Sequence, residues 1–427
     1  MIALLMLLAL FVLVAINVPI AVALGVIAAA AMVAKSGPDS LLAAAVTMFD
    51  GAKTFPLIAI PLFVLAGAIM NTSGISRRLI AFASALLGFI KGGLSMVNIG
   101  ASMFFAEISG SAVADVAAIG SILMPAMEKR GYPKEFAAAI TSSSASLAII
   151  IPPSIPMILY ATIADTSVVQ LFVAGIIPGL IGAAGLMLAS YWFAVRYDYP
   201  VEEVFRLRRL WATFKDAAWA FLLPIIILGG IFGGFVTATE GAGLAVVAAL
   251  FIGVVIYREL DIRYLHRALI DGAVQTAVVM LLVATSALLG LYLTESRIPQ
   301  ALARSIAEMT ENRYVILAIL NALFLVLGCF LHGAAAIILV VPIVLPLVHA
   351  AGLDLIHFGL IVTLNLAIGQ QTPPVASVLI TACSIAKADV WEVSKVNIYF
   401  IGVLFLVLML VTYVPIIPLA LVEYFYR

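Results

Sequence analysis

The chain has 427 residues, of which 65% are apolar by type and only 10% charged, with a mean hydropathy of +1.24. A soluble domain is roughly a quarter charged, so a water-soluble globule is excluded. The 22 basic and 22 acidic residues cancel, leaving no basic face of the kind that displaces counterions from nucleic acid.

In chain order, the run 2–34 has no basic residue ahead of it and exceeds a secretory h-region, so it reads as a retained span. Uncharged apolar runs of about 20 residues follow at 54–71, 134–163, 168–195, 217–235, 240–257, 272–293, 355–386 and 396–422. With the first run these predict nine full crossings. Two further blocks, 93–128 and 313–349, are too long for one span and are divided at Gly110-Ser111 and at His332-Gly333. They predict re-entrant helical hairpins, whose non-helical tips are tolerated at membrane depth only under protein or beside a polar cavity. Segments 75–91, 198–216, 258–271 and 296–312 are mixed in charge and predict helices lying along the interface. Asp50 and Asp271 are expected to fix turns, and Glu240 after Thr237 to cap the start of a span. Cys329 and Cys383 lie in apolar sequence without metal-site spacing and read as small packed residues.

Positive charge orients this layout, because cytoplasmic loops hold most Lys and Arg. With the N-terminus inside, sixteen of the 22 basic residues are cytoplasmic, among them Arg77, Arg78, Arg130, Arg206, Arg208 and Arg209. The outside segments keep Lys35, Lys53, Arg297, Arg304, Arg313 and Arg427. The C-terminus is then periplasmic. The arginines at 206–209 read as an anchor on anionic lipid.

Shifting the chain by 221 residues pairs Asp50-Gly51-Ala52 with Asp271-Gly272-Ala273, Pro125 with Pro346, Gly131 with Gly352, and Pro152-Pro153 with Pro373-Pro374. With 19 prolines, a chance match at a given proline is about one in 22, so a single register for three of them marks an internal repeat. Five crossings separate the copies, which makes the second inverted, an arrangement characteristic of secondary transporters. The first copy covers 50–197 and the second 271–423. Segment 198–270 contributes a linking loop, two spans and an amphipathic arm. Within each copy one span is broken: Thr141-Ser142-Ser143-Ser144 leads to Ile151-Pro152-Pro153-Ser154, and Thr363-Leu364-Asn365 leads to Gly369-Gln370-Gln371-Thr372-Pro373-Pro374. Consecutive prolines remove two donors and free carbonyls near mid-membrane. A cation between a hairpin tip and an unwound span would satisfy them.

Four motifs carry a resemblance nearly end to end: Ser109-Gly110-Ser111-Ala112-Val113-Ala114-Asp115, Ile151-Pro152-Pro153-Ser154-Ile155-Pro156, Phe235 to Gly243, and Asn365 to Gly369 followed by Thr372-Pro373-Pro374. The chain resembles the large membrane subunit of TRAP (tripartite ATP-independent periplasmic) transporters. The resemblance implies an all-α polytopic protein of the bacterial inner membrane working as an elevator, with a transport domain sliding across a scaffold domain. It further implies sodium-coupled import of a small organic anion, with a four-helix small membrane subunit and a periplasmic binding protein as partners. No cofactor beyond sodium is implied. Carried over by motif, one sodium site uses Ser109, Gly110 and Ser111 with Ala148, Ile151 and Pro152. The second uses Gly328 and Leu331 with Gly369, Thr372 and Pro373. Candidate substrate contacts are Ser111, Ser142, Ser144, Ser154, His332, Asn365 and Gln371. Where the family commonly has an acidic residue at the second tip, this chain has His332, a hydrogen-bond donor suited to a strongly anionic carboxylate or sulfonate.

Plainer readings stand beside these. A tip histidine also serves as a packed residue, and a serine-rich helix also allows close helix packing. Asp115 has a role at the start of its half-helix as well as at an ion site. Other classes are a stand-alone ion-coupled anion transporter or exchanger, and an ion channel, which needs a continuous polar pore. With no HExxH and no Ser-Lys or Ser-His pair at membrane depth, an enzyme is not expected, and with no P-loop neither is energy from ATP bound to this chain.

Overall fold

The computed structural model describes residues 18–260, 262–310 and 312–426, together with 6, 9, 10, 12, 13 and 16. The rest of the expected span 2–34 lies outside the described residues. No strand occurs among them.

The helices run in order α1 Ile20–Ser36, α2 Ser40–Ala52, α3 Ala59–Thr72, α4 Ile75–Leu87, α5 Gly93–Ser109, α6 Ala112–Lys129, α7 Lys134–Ala145 and α8 Ile155–Ile163. They continue as α9 Val168–Arg196, α10 Leu207–Phe232, α11 Ala238–Phe251, α12 Ile262–Glu295, α13 Ile298–Met309, α14 Arg313–Phe330 and α15 Gly333–Ala350. The last are α16 Leu355–Gly369, α17 Ser377–Ala386, α18 Val390–Tyr413 and α19 Ile416–Tyr426. Eight helical stretches are long and apolar enough to cross a membrane, which makes this a multi-pass membrane protein.

Both divided blocks form helix–break–helix pairs, α5–α6 and α14–α15, and both broken spans lose helix where the prolines fall. Polar side chains write these boundaries. Ser154 caps α8 by accepting from the Met157 N–H while donating to the Ile149 carbonyl at 2.7 Å. Thr237 and Glu240 form a reciprocal capping box at the start of α11, as the sequence predicts for Glu240.

Four expectations need correction. Segment 258–271 is not a separate interfacial helix, because α12 runs unbroken for 34 residues through a stretch that contains no proline to stop it. Of 198–216, only the part before Leu207 is irregular, and the remainder opens α10. The run 396–422 divides into α18 and α19 at Val414-Pro415, where proline removes a donor. Finally, Asp50 lies inside α2 and Asp271 inside α12, so neither fixes a turn; Asp50 instead pairs with Lys53 at 2.6 Å.

Packing gathers the helices into two groups. In one, α12 lies against α1, α2 and α3, and α11 packs on α3 and α10. In the other, α7 packs with α5, α6, α17 and α18, and α14 with α16. The short helices α8 and α17 exchange partners: α8 lies on α15, and α17 lies on α6. Every residue from Phe136 to Ala145 in α7 and from Ile356 to Gly369 in α16 is buried, the mark of helices enclosed on all sides. Both broken helices are therefore at the centre of the second group. Helix α4 bridges it to α10, and α13 packs on α15.

Candidate functional site

Two junctions form where a helix-pair tip meets an unwound segment. At the first, Gly110 takes φ +58°, the left-handed conformation that glycine adopts without strain, between α5 and the Ser111 cap of α6. Its carbonyl accepts from the Ile155 N–H at 3.4 Å, and a Cβ there would lie 3.0 Å from the Pro153 oxygen. At the second, the Cys329 carbonyl accepts from the Val375 N–H at 3.1 Å. A Cβ on Gly369 would fall 2.5 Å from the Gly328 Cα and carbonyl carbon. Glycine is required at both, since backbone abuts backbone.

The structure therefore brings Gly110 beside the 153–155 turn, and Gly328 beside Gly369. The side chain of Ser109 lies outside the described residues. Among those described, the carbonyls of Ala148, Ile151, Pro152, Gly328, Leu331, Thr372 and Pro373 accept no hydrogen bond. The Gly369 carbonyl is already taken by the Thr372 N–H at 2.9 Å, and the Thr372 hydroxyl donates to Ile368 at 3.0 Å. Ala148, Ile151, Pro152, Gly328 and Leu331 are buried and Thr372 and Pro373 half-buried; unpaired carbonyls away from water are costly, and a hard cation prefers oxygen ligands. The chemistry of both junctions fits a sodium ion.

Of the candidate substrate contacts, only Ser111 and His332 have accessible side chains in this conformation. His332 precedes α15 and is exposed at the second tip; its carbonyl accepts from the Ala336 N–H at 3.1 Å, and its side chain makes no hydrogen bond to a described residue. The others are buried. Ser144 donates to Asn98 at 3.0 Å and accepts from Ser102 at 2.9 Å, while Asn98 also reaches Thr141 at 2.7 Å. Asn365, at the position matching Ser144 in the repeat, donates to Asn321 at 2.7 Å, and Asn321 donates to Thr412 at 3.1 Å. A third group joins Ser143 to Gln371 at 2.6 Å and to Asn397 at 2.7 Å. The single Ser143 proton serves one amide oxygen, so the other amide must present its NH2 to the hydroxyl. The Gln371 side chain thereby ties α7, the second unwound segment and α18 together. Gln370 sits against Gly333, where a Cβ would meet its Nε2 at 2.8 Å. The Ser142 hydroxyl and the Asn365 Oδ1 have no partner among the described residues.

Sequence reasoning passed over Asn98, Ser102, Asn321, Asn397 and Thr412. Their signal was present: an asparagine inside an apolar membrane run needs a partner and is seldom incidental.

Two helix-pair tips packed by glycine against two proline-broken helices, within a bundle of apolar membrane-length helices, mark the chain as a polytopic membrane protein built on a repeated element. The chain belongs to the family of the DctM component of tripartite ATP-independent periplasmic transporters, whose family model matches residues 7–417. It is 40% identical over 372 residues to the isethionate TRAP transporter permease protein DctMQ of Oleidesulfovibrio alaskensis, covering 87% of this chain and 59% of that one. It is 38% identical over 384 residues to the C4-dicarboxylate TRAP transporter large permease protein DctM of Pseudomonas aeruginosa, covering 90% of each. The sialic acid TRAP transporter permease protein SiaT of Haemophilus influenzae is 36% identical, over 85% of this chain and 59% of its own length. Among solved structures, the YdaH transporter of Alcanivorax borkumensis superposes with a TM-score of 0.62 at 14% identity, covering 88% of both chains. That likeness concerns the fold alone.

Proposed function

We propose that this permease imports a small organic anion, a carboxylate or sulfonate, in symport with sodium, and that the anion arrives on a periplasmic binding protein. The observation that carries the reading is the pair of junctions at Gly110 and at Gly328–Gly369, where seven backbone carbonyls accept no hydrogen bond from a described residue. Relatives named for isethionate, C4-dicarboxylates and sialic acid support an acid as cargo. Ser111 and His332, accessible at the two tips, are the first substrate contacts. Ser144, Ser154, Asn365 and Gln371 act by holding the helices that carry the ions, with Ser142 facing the same core.

The matching element bounds support an inverted repeat: shifted by 221, α6 falls on Gly333–Ala350, which is α15 residue for residue. The exchange of α8 and α17 between halves supports the same relation. The body built on α7 and α16 moves as one against α1–α3 and α10–α12, with α4 and α13 as connecting arms, giving an elevator. The chain spans 59% of the length of two relatives; in a tripartite transporter its partners are a small membrane subunit and the periplasmic binding protein. The N-terminus is cytoplasmic and the C-terminus periplasmic.

The test is uptake into proteoliposomes holding this chain and its small subunit, with a panel of carboxylates and sulfonates offered on their binding proteins. Uptake is expected to require both an inward sodium gradient and a binding protein. Uptake indifferent to both returns the stand-alone transporter or a channel to the front.

A further inference from the structure

The segment between α9 and α10 is clipped to the base of the α4–α5 turn. The N–H groups of Gly92 and Gly93 donate to the Pro200 carbonyl at 3.2 and 3.4 Å, and those of Glu202 and Glu203 donate to Gly88 at 3.1 and 3.3 Å. Lys91 meets Asp198 at 2.6 Å, Arg130 meets Glu202 at 3.2 Å, and the Tyr199 ring packs 4.6 Å from that of Tyr132. The clip ends at Glu203. Beyond it an open recess of about 520 Å³ is lined by Glu203, Val204, Arg206, Arg208, Arg209 and Ala212.

The charges in this recess are unbalanced. Arg209 is held by Glu203 at 2.5 Å, whereas Arg206 and Arg208 have no carboxylate within ion-pair distance among the described residues. Around them Val204 is 76% exposed, Leu207 70% and Trp211 57%. Large apolar side chains left bare beside unpaired guanidinium groups are stable where water gives way to lipid. From here α10 enters a stretch apolar enough to cross the membrane. A soluble acidic partner would satisfy the arginines but leave Leu207 and Trp211 in water.

We propose that this recess is a headgroup site for an anionic phospholipid. Its phosphate is held by Arg206 and Arg208, Arg209 is oriented by Glu203, and Leu207 and Trp211 lie among the acyl chains. Arg is suited to this because its planar fork binds phosphate oxygens bidentately. The lipid sits where the clipped segment ends and α10 begins, so its occupancy fixes the joint between the two packed groups. The inference is independent of which solute is carried and of sodium coupling.

The test places the full chain in nanodiscs of phosphatidylcholine containing a minority of phosphatidylglycerol and measures co-purifying lipid by native mass spectrometry. Enrichment of phosphatidylglycerol by about 10- to 30-fold is expected, from roughly one surface-charge interaction per free arginine. R206Q/R208Q is expected to abolish it, while Arg313→Gln leaves it intact. The Trp211 share of the fluorescence, taken as the difference from Trp211→Phe because Trp192, Trp219 and Trp391 are also exposed, should be quenched by brominated phosphatidylglycerol, and that quenching should fall with the same double substitution. Equal enrichment in wild type and R206Q/R208Q overturns the site. Displacement of the lipid by millimolar inorganic phosphate at unchanged ionic strength also overturns it, by assigning the recess to free phosphate.

Discussion

Gly369→Ala tests the second junction most sharply. The added Cβ would stand 2.5 Å from both the Cα and the carbonyl carbon of Gly328 and 3.1 Å from the Cys329 nitrogen. Ordinary contact begins near 3.4 Å, so the tip of α14 must retreat by about 1 Å, and only backbone is there to move. Overpacking of this kind costs roughly 1–3 kcal/mol. If sodium holds the closed junction together, that cost falls on the ion-bound state and raises half-saturating sodium by about 5- to 150-fold. Gly402→Ala is the control, since a Cβ there meets no atom within 4 Å. The assay is a sodium titration of uptake in proteoliposomes, with sodium-dependent thermal stabilisation as a second readout. An unchanged sodium midpoint in Gly369→Ala, alongside normal uptake, would show that sodium does not hold this junction closed.

Other outcomes follow from the same geometry. Ser143→Ala leaves the Gln371 and Asn397 amides short of a buried partner and should lower stability by about 1–3 kcal/mol, read as a fall in melting temperature against the exposed Ser121→Ala; equal values would sink the network's role. His332→Ala should impair uptake much more than His349→Ala, which alters another exposed histidine, and equal activity would reduce His332 to a surface residue. Burial raises the Glu202 carboxyl above its ordinary range, with Glu203 adding to the rise and Arg130 opposing it. A raised carboxyl favours the folded clip below the ordinary carboxylate range, and that contribution is lost as pH rises through the raised value. Amide exchange at Glu202 and Glu203, corrected for intrinsic rate, should therefore quicken across that window in wild type and not in Glu202→Gln. Cysteines placed at Lys35 and Arg209 should label from opposite faces of the membrane, and same-face labelling would overturn the orientation.

The breaks were legible for two reasons: the Pro-Pro pairs remove helix donors, and Gly110-Ser111 and His332-Gly333 each divide an apolar block too long for one span, whereas Gly120-Ser121 passes unbroken inside α6. Helices α6 and α15 begin where the tip residues predict. Boundaries without such residues were not legible. The polar start of α12 resembles an interfacial helix, yet it contains no proline or other stop and the helix continues through it to Glu295. Ser144 and Asn365 were read as substrate contacts because a polar residue in a broken span invites that role. Their partners, Asn98 and Asn321, are more than forty residues away in sequence, and only the packing of α5 on α7 and of α14 on α16 brings them together.

In an elevator the second junction is exposed alternately to the two sides of the membrane. Val375 is suited to the measurement, being 44% exposed on the unwound segment and bonded to the tip only through its backbone. In a variant with Cys329 and Cys383 replaced, Val375→Cys should react with an impermeant thiol reagent from one face at a time. Sodium together with substrate should shift the labelling between faces. Labelling from a single face under every condition, or from both faces at once as in an open pore, would exclude an elevator.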